Sequence, residues 1–102
     1  MLVFFSIYPL DKGGSSLSKY VARSLDIIDR SGLDYQLTAM GTLVEGEPDQ
    51  VWDLIRECHA RMREVSDRVV AYIKMDDRVG TTGRLKGKPK SVADKLGRDL
   101  NM

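Results

Sequence analysis

The chain has 102 residues, 42% of them hydrophobic, the usual size of one domain and enough to bury a modest core without disulfides or a structural metal. Sixteen Lys plus Arg stand against fifteen Asp plus Glu, so the formal charge is +1 and no overall field favours nucleic acid or an anionic membrane surface. The lone Cys58 excludes an intramolecular disulfide and suits the cytoplasm, while the absence of ~18 consecutive apolar residues and of a basic leader argues against membrane spanning and export.

Residues 2 to 8 are dense in β-branched and aromatic side chains and run into Pro9 and Asp11-Lys12-Gly13-Gly14, which predicts a first strand. Ser15 or Ser16 can cap a helix whose positions Leu17, Tyr20, Val21, Ser24, Leu25 and Ile28 fall on one stripe, with Gly32 at its end. The stretch from Tyr35 to Gly46 is too long and too interrupted by glycine for one strand. It predicts two, over 34 to 38 and 42 to 46, folded at Ala39-Met40-Gly41. Pro48 suits the first position of a second helix, whose stripe of Val51, Leu54, Ile55, Cys58, Met62 and Val65 ends near Ser66. Val69 to Met75 predict a fourth strand stopped by Asp76-Asp77. Beyond it, Arg78 to Pro89 is rich in Gly and in basic residues and reads as a solvated loop, and Ser91 to Leu100 as a short terminal helix.

The order β-α-β-β-α-β with right-handed crossovers predicts a single α+β domain over residues 1 to 102, a ferredoxin-like sandwich. Its antiparallel sheet has the first and third strands at the centre and both helices on one face. Alternation then points Val3, Phe5 and Ile7, with Ala71, Ile73 and Met75, at the helices. Phe4, Ser6, Tyr8, Val70, Tyr72 and Lys74 are left on a bare second face. Each aromatic there represents ~150 to 250 Å² that a soluble monomer does not leave wet. Self-association of sheets accounts for this. So does a ligand pocket, because hydroxyls at Ser6, Tyr8, Thr38, Thr42 and Tyr72 among apolar groups match the composition of small-molecule sites.

No catalytic constellation emerges. Cys58 and His59 are adjacent on a helix and therefore point about 100° apart, and together they are too few for a four-ligand metal shell. Asp76-Asp77-Arg78 reads as a strand end with a local ion pair, and Asp11 to Ser16 as a plain turn, since Gly13-Gly14 falls short of a phosphate-loop signature. The basic run Arg84 to Lys90 reads as a solvated tail with occasional phosphate contact. RNA-recognition modules share the chain order, but the predicted third strand lacks the aromatics that stack bases. Acyl-phosphate hydrolases also share it, yet the loop after the first strand contains no arginine.

Three segments carry a more specific signal: Ser6-Ile7-Tyr8-Pro9-Leu10; then Gly32 to Gly46, with its string Tyr-x-Leu-Thr-x-Met-Gly-Thr-x-x-Glu-Gly; then Ile73 to Arg78. In order and spacing the chain resembles the small thiamine-binding protein family over about residues 3 to 97. The resemblance implies a ferredoxin-like subunit, a homotetramer built from paired sheets, and binding of thiamine or its hydroxymethylpyrimidine portion without catalysis or a cofactor. By position it implies a site at Ser6, Tyr8, Thr38, Met40, Gly41, Thr42 and Glu45. Ala39 stands where the resemblance leads us to expect proline, and the 79 to 90 loop is richer in Gly and Lys than expected. A module that only assembles, or that senses another small molecule, is the competing reading.

Overall fold

Val3, Phe5 and Ile7 are buried while Leu2, Phe4, Ser6 and Tyr8 between them are half-buried, so β1 (Leu2–Pro9) divides the protein into two sides. This is the arrangement in the computed structural model, which describes residues 1–14 and 16–102. After β1 come α1 (Ser18–Arg30), β2 (Asp34–Leu37), β3 (Thr42–Glu45), α2 (Pro48–Arg63), β4 (Val69–Asp76) and α3 (Arg84–Leu96). The strands lie in the order β2-β3-β1-β4 with every neighbouring pair antiparallel, a ferredoxin-like α+β sheet. Register is set by Phe5 opposite both Thr42 and Ile73.

Helices α1 and α2 cover the side of Val3, Phe5 and Ile7, and Ile28, Val44, Val51, Leu54, Cys58 and Met62 complete that core. Each large aliphatic side chain buried there contributes about 1.5–3 kcal/mol. Local chemistry fixes where the helices begin and end. In α2 the Glu47 side chain accepts the third-position backbone N–H, Gln50 Oε1 accepts the Glu47 N–H at 3.2 Å, and Pro48 stands where no N–H is needed. At α1, Leu17 occupies the N-cap without a side-chain cap, and Ser16 Oγ accepts the Ser18 N–H at 3.3 Å. The other expected cap, Ser15, lies outside the described residues. Gly32 follows α1 with φ +78°, as expected of a residue that reverses the chain after a helix.

Three sequence expectations are corrected. The terminal helix is longer than predicted and starts at Arg84, with Pro89 inside it; the loop is confined to residues 77–83. The reason is long-range: both Glu45 carboxylate oxygens accept backbone N–H groups of the first turn, Arg84 at 2.8 Å and Leu85 at 3.0 Å. Second, the far side of the sheet is not bare. Glu45 and Asp76 belong to the side of Phe4, and α3 is fastened to both, through the Glu45 cap and a Lys88–Asp76 ion pair, which buries Leu85 and Ala93. Third, Ala71, Ile73 and Met75 share the side of Val3, Phe5 and Ile7 but are not covered by the helices; Ile73 and Met75 are each 42% exposed. β4 is an edge strand beyond the reach of α1 and α2 along most of its length.

Candidate functional site

The Thr38–Gly41 turn joins β2 to β3 and, with β1 and one face of α1, borders a cavity of about 160 Å³. One side chain holds the turn together. Thr38 Oγ1 donates to Gly41 O at 2.6 Å and accepts the Met40 and Gly41 N–H groups at 3.3 Å, while Thr38 N–H donates to the same Gly41 carbonyl at 2.9 Å. Gly41 is required by space. A Cβ there would lie 2.5 Å from Phe4 Cζ and 3.2 Å from the Phe5 carbonyl oxygen. The Phe4 ring thus sits against the back of the turn, where no other residue type fits without displacing it.

The cavity walls are mostly apolar: Phe5 and Ile7 from β1, Val21, Leu25 and Ile28 from α1, and Leu37 from β2. Into this setting come the hydroxyl residues Thr42 and Ser24, each only 3% exposed. The Ser24 side chain also meets the Cys58 thiol, whereas the Thr42 hydroxyl has no hydrogen-bond partner among the described residues, and no fully enclosed polar side-chain atom is left unpaired. The Thr42 hydroxyl therefore keeps access to the cavity, and Ser24 lines it beside Thr42. A few free polar groups on an apolar wall fix the orientation of a small flat ligand.

Five of the seven residues implied by the resemblance border this cavity: Ser6, Thr38, Met40, Gly41 and Thr42. Their side differs from the expectation. Thr42 pairs with Phe5 and faces the helices, so this cavity lies between sheet and α1 and not on the outer face. Thr38 shapes the turn with its hydroxyl, and Met40, 82% exposed, stands at the mouth. Tyr8 is not brought in: on the outer side its ring stacks against Tyr72 with centroids 6.4 Å apart, and the Tyr72 hydroxyl raises its pKa above the usual tyrosine value. Glu45 is also elsewhere, with its carboxylate spent on α3. Ser24 was missed as a site residue, although a hydroxyl in the middle of an apolar helical stripe was its visible signal.

Away from the cavity, burial and the nearby Glu57 push the Cys58 thiol up to about 12, so no thiolate is available near neutral pH. Among the described residues, no group of three or more His, Cys, Asp or Glu side chains is set to hold a metal ion. Nor is any helix among them long and apolar enough to cross a membrane.

A family model described as thiamine-binding protein matches residues 3–93. The chain belongs to the thiamine-binding protein family. Within reach of this family, the UPF0045 protein MJ1052 of Methanocaldococcus jannaschii is 34% identical over 89 residues, covering 87% of this chain and 88% of its own. A UPF0045 protein of Methanothermobacter thermautotrophicus is 33% identical over 93 residues, covering 89% and 94%. The crystal structure of MJ1052 superposes with a TM-score of 0.82 over 91% of this chain and 95% of that one, at 32% identity. A Thermotoga maritima protein described as a candidate for thiamine biosynthesis or salvage shares the fold, with a TM-score of 0.73 at 24% identity over 85% of this chain and 94% of its own.

Proposed function

We propose that this thiamine-binding family member binds thiamine or its hydroxymethylpyrimidine portion in the cavity behind the Thr38–Gly41 turn, without chemical conversion, as a cytoplasmic homo-oligomer. The observation that carries the reading is the buried, unengaged Thr42 hydroxyl, with Ser24 beside it, in an apolar cavity of about 160 Å³. Size supports it, since an apolar cavity of about 150 Å³ holds one benzene ring. A single pyrimidine ring therefore fits, with the thiazolium part directed past Met40 toward solvent. The ring's exocyclic amine donates to a hydroxyl oxygen and its ring nitrogens accept from hydroxyl hydrogens, roles that Thr42 and Ser24 both offer. Catalysis would need an activated group, and the one thiol is buried and protonated.

The test is calorimetric titration of the protein with hydroxymethylpyrimidine and with thiamine, alongside the Thr42→Val variant. Valine keeps the shape and deletes one hydroxyl, so affinity is expected to weaken by about fivefold to tenfold. The bound pyrimidine should also raise the unfolding free energy by about 2.7 kcal/mol at 100 times its Kd. Absence of heat and of any melting shift with either compound sinks the ligand assignment. Unchanged affinity in Thr42→Val removes that hydroxyl from the site.

A further inference from the structure

A second depression lies on the other side of the sheet, at the opposite end of β1. It has a volume of about 200 Å³ and is bordered by Leu2, Glu45, Asp76, Arg78, Arg84 and Lys88. Its charges are unevenly matched. Glu45 is engaged by the Arg84 and Leu85 N–H groups, and Asp76 by Lys88. Among the described residues, the guanidinium groups of Arg78 and Arg84 have no ion-pair partner, as is also true of Arg63, Arg68 and Arg98; what sets the two apart is that they border one depression with Lys88. Arg84 is half-buried in the first turn of α3, with Nη1 3.8 Å from where a Cβ on Gly87 would lie. Arg78 approaches from the loop after β4. Both arginines and Lys88 are near enough to Asp76 to hold its carboxyl below the usual range, Lys88 first.

We propose that this depression is a second binding site, for a small oxyanion of the phosphate type, held by the free Arg78 and Arg84 guanidiniums with Lys88 shared between the ligand and Asp76. A guanidinium offers paired donors in a plane that match two oxygens of such an anion, and half-burial of Arg84 strengthens each contact relative to open water. Asp76 and Glu45 limit the site to one small anion. Glu45 is engaged by two backbone N–H groups and Asp76 by Lys88, and together they select for a ligand that engages both arginines at once. Since Arg84 opens α3, an occupied site also ties that helix to the loop after β4. The site does not depend on the pyrimidine cavity, which lies on the other side of the sheet.

The experiment is calorimetric titration and thermal melting of the intact protein with inorganic phosphate and, separately, with glycerol 2-phosphate, at constant ionic strength set with chloride. Saturable binding with a raised midpoint is expected. Whichever compound binds more tightly distinguishes a free phosphate from a phosphomonoester as the source of the anion. Arg78→Gln and Arg84→Gln should each weaken binding by about tenfold or more. Lys86→Gln removes a neighbouring charge of α3 outside the depression and should leave binding unchanged. Far-UV circular dichroism checks folding; should Arg84→Gln unfold α3, Arg78→Gln on the exposed loop still gives the readout. The site is overturned by a response no larger than that to chloride, or by an equal response of the parent and Arg78→Gln.

Discussion

Gly41 and Asp11 show how single positions hold the cavity end of the protein together. The backbone at Gly41 is not in the left-handed region, so its requirement is for space: the Phe5 carbonyl at 3.2 Å cannot swing aside as a side chain such as the Phe4 ring can. Gly41→Ala is expected to cost roughly 1–3 kcal/mol by overpacking and to weaken ligand binding, which urea denaturation and calorimetry would measure. Asp11 fastens the loop after β1 to the end of α2, accepting from Ser66 Oγ at 2.6 Å and from the Asp67 N–H at 2.8 Å. The Ser66 hydroxyl first, and then the Asp67 N–H, hold its carboxyl below the usual range. A depressed folded pKa means that the folded state binds fewer protons, so the stabilisation is fully present above the unfolded value of about 3.9 and is lost as pH falls through the folded one. Asp11→Asn should therefore reduce stability at pH 6 and flatten the loss as the pH falls below the unfolded value, as read from denaturation midpoints at successive pH.

Among the elements, those stabilised by their own neighbours were legible in the sequence, and those stabilised from afar were not. The α1 and α2 stripes, Pro48 at the start of α2 and Gly32 after α1 all act within a few residues, and the alternation in β1 set which of its side chains are buried. The start of α3 was hidden because its cap, Glu45, stands 39 and 40 residues before the N–H groups that it accepts. Pro89 and the glycines then argued locally for a loop. The site divides in the same way. Thr38, Gly41 and Thr42 sit in one contiguous string, whereas Ser24 reaches the cavity only through packing of α1 on the sheet, and Tyr8 and Glu45 share strands with the site but point or lie elsewhere. Glu45→Ala tests the long-range link: losing the acceptor for two first-turn N–H groups should cost about 1–2 kcal/mol. Amides of α3 from Leu85 to Ala93 should exchange faster with solvent while those of α2 stay protected. Equal protection of α3 in the variant would mean that packing alone holds the helix.

At the scale of the whole molecule, the protomer exposes more surface than its mass accounts for. A folded monomer of 11.5 kDa is expected to expose about 5,800 Å², and this chain exposes 7114 Å². The radius of gyration, 15.1 Å, likewise exceeds the roughly 13 Å of a compact domain of this length. A stable interface takes about 800 Å² from each partner, so the surplus of about 1,300 Å² is enough for assembly. β4 is an edge strand with a free side, exposed on both faces from Ala71 to Asp76, with Tyr72 61% exposed beside Tyr8. Long apolar edge strands of this kind pair or aggregate unless covered. In the proposed homo-oligomer, the uncovered part of the outer face, from Tyr8 across to Tyr72, packs against its equivalent in a second copy, while α3 covers the remainder. Sedimentation at micromolar concentration should then give a mass well above 11.5 kDa, a tetramer under the reading that sheets pair twice. Tyr72→Lys places a charge in the centre of that contact without touching the helical core. It should shift the mass toward the single protomer at unchanged far-UV circular dichroism, and a parent that sediments as one 11.5 kDa species would leave the exposed strand without its proposed partner.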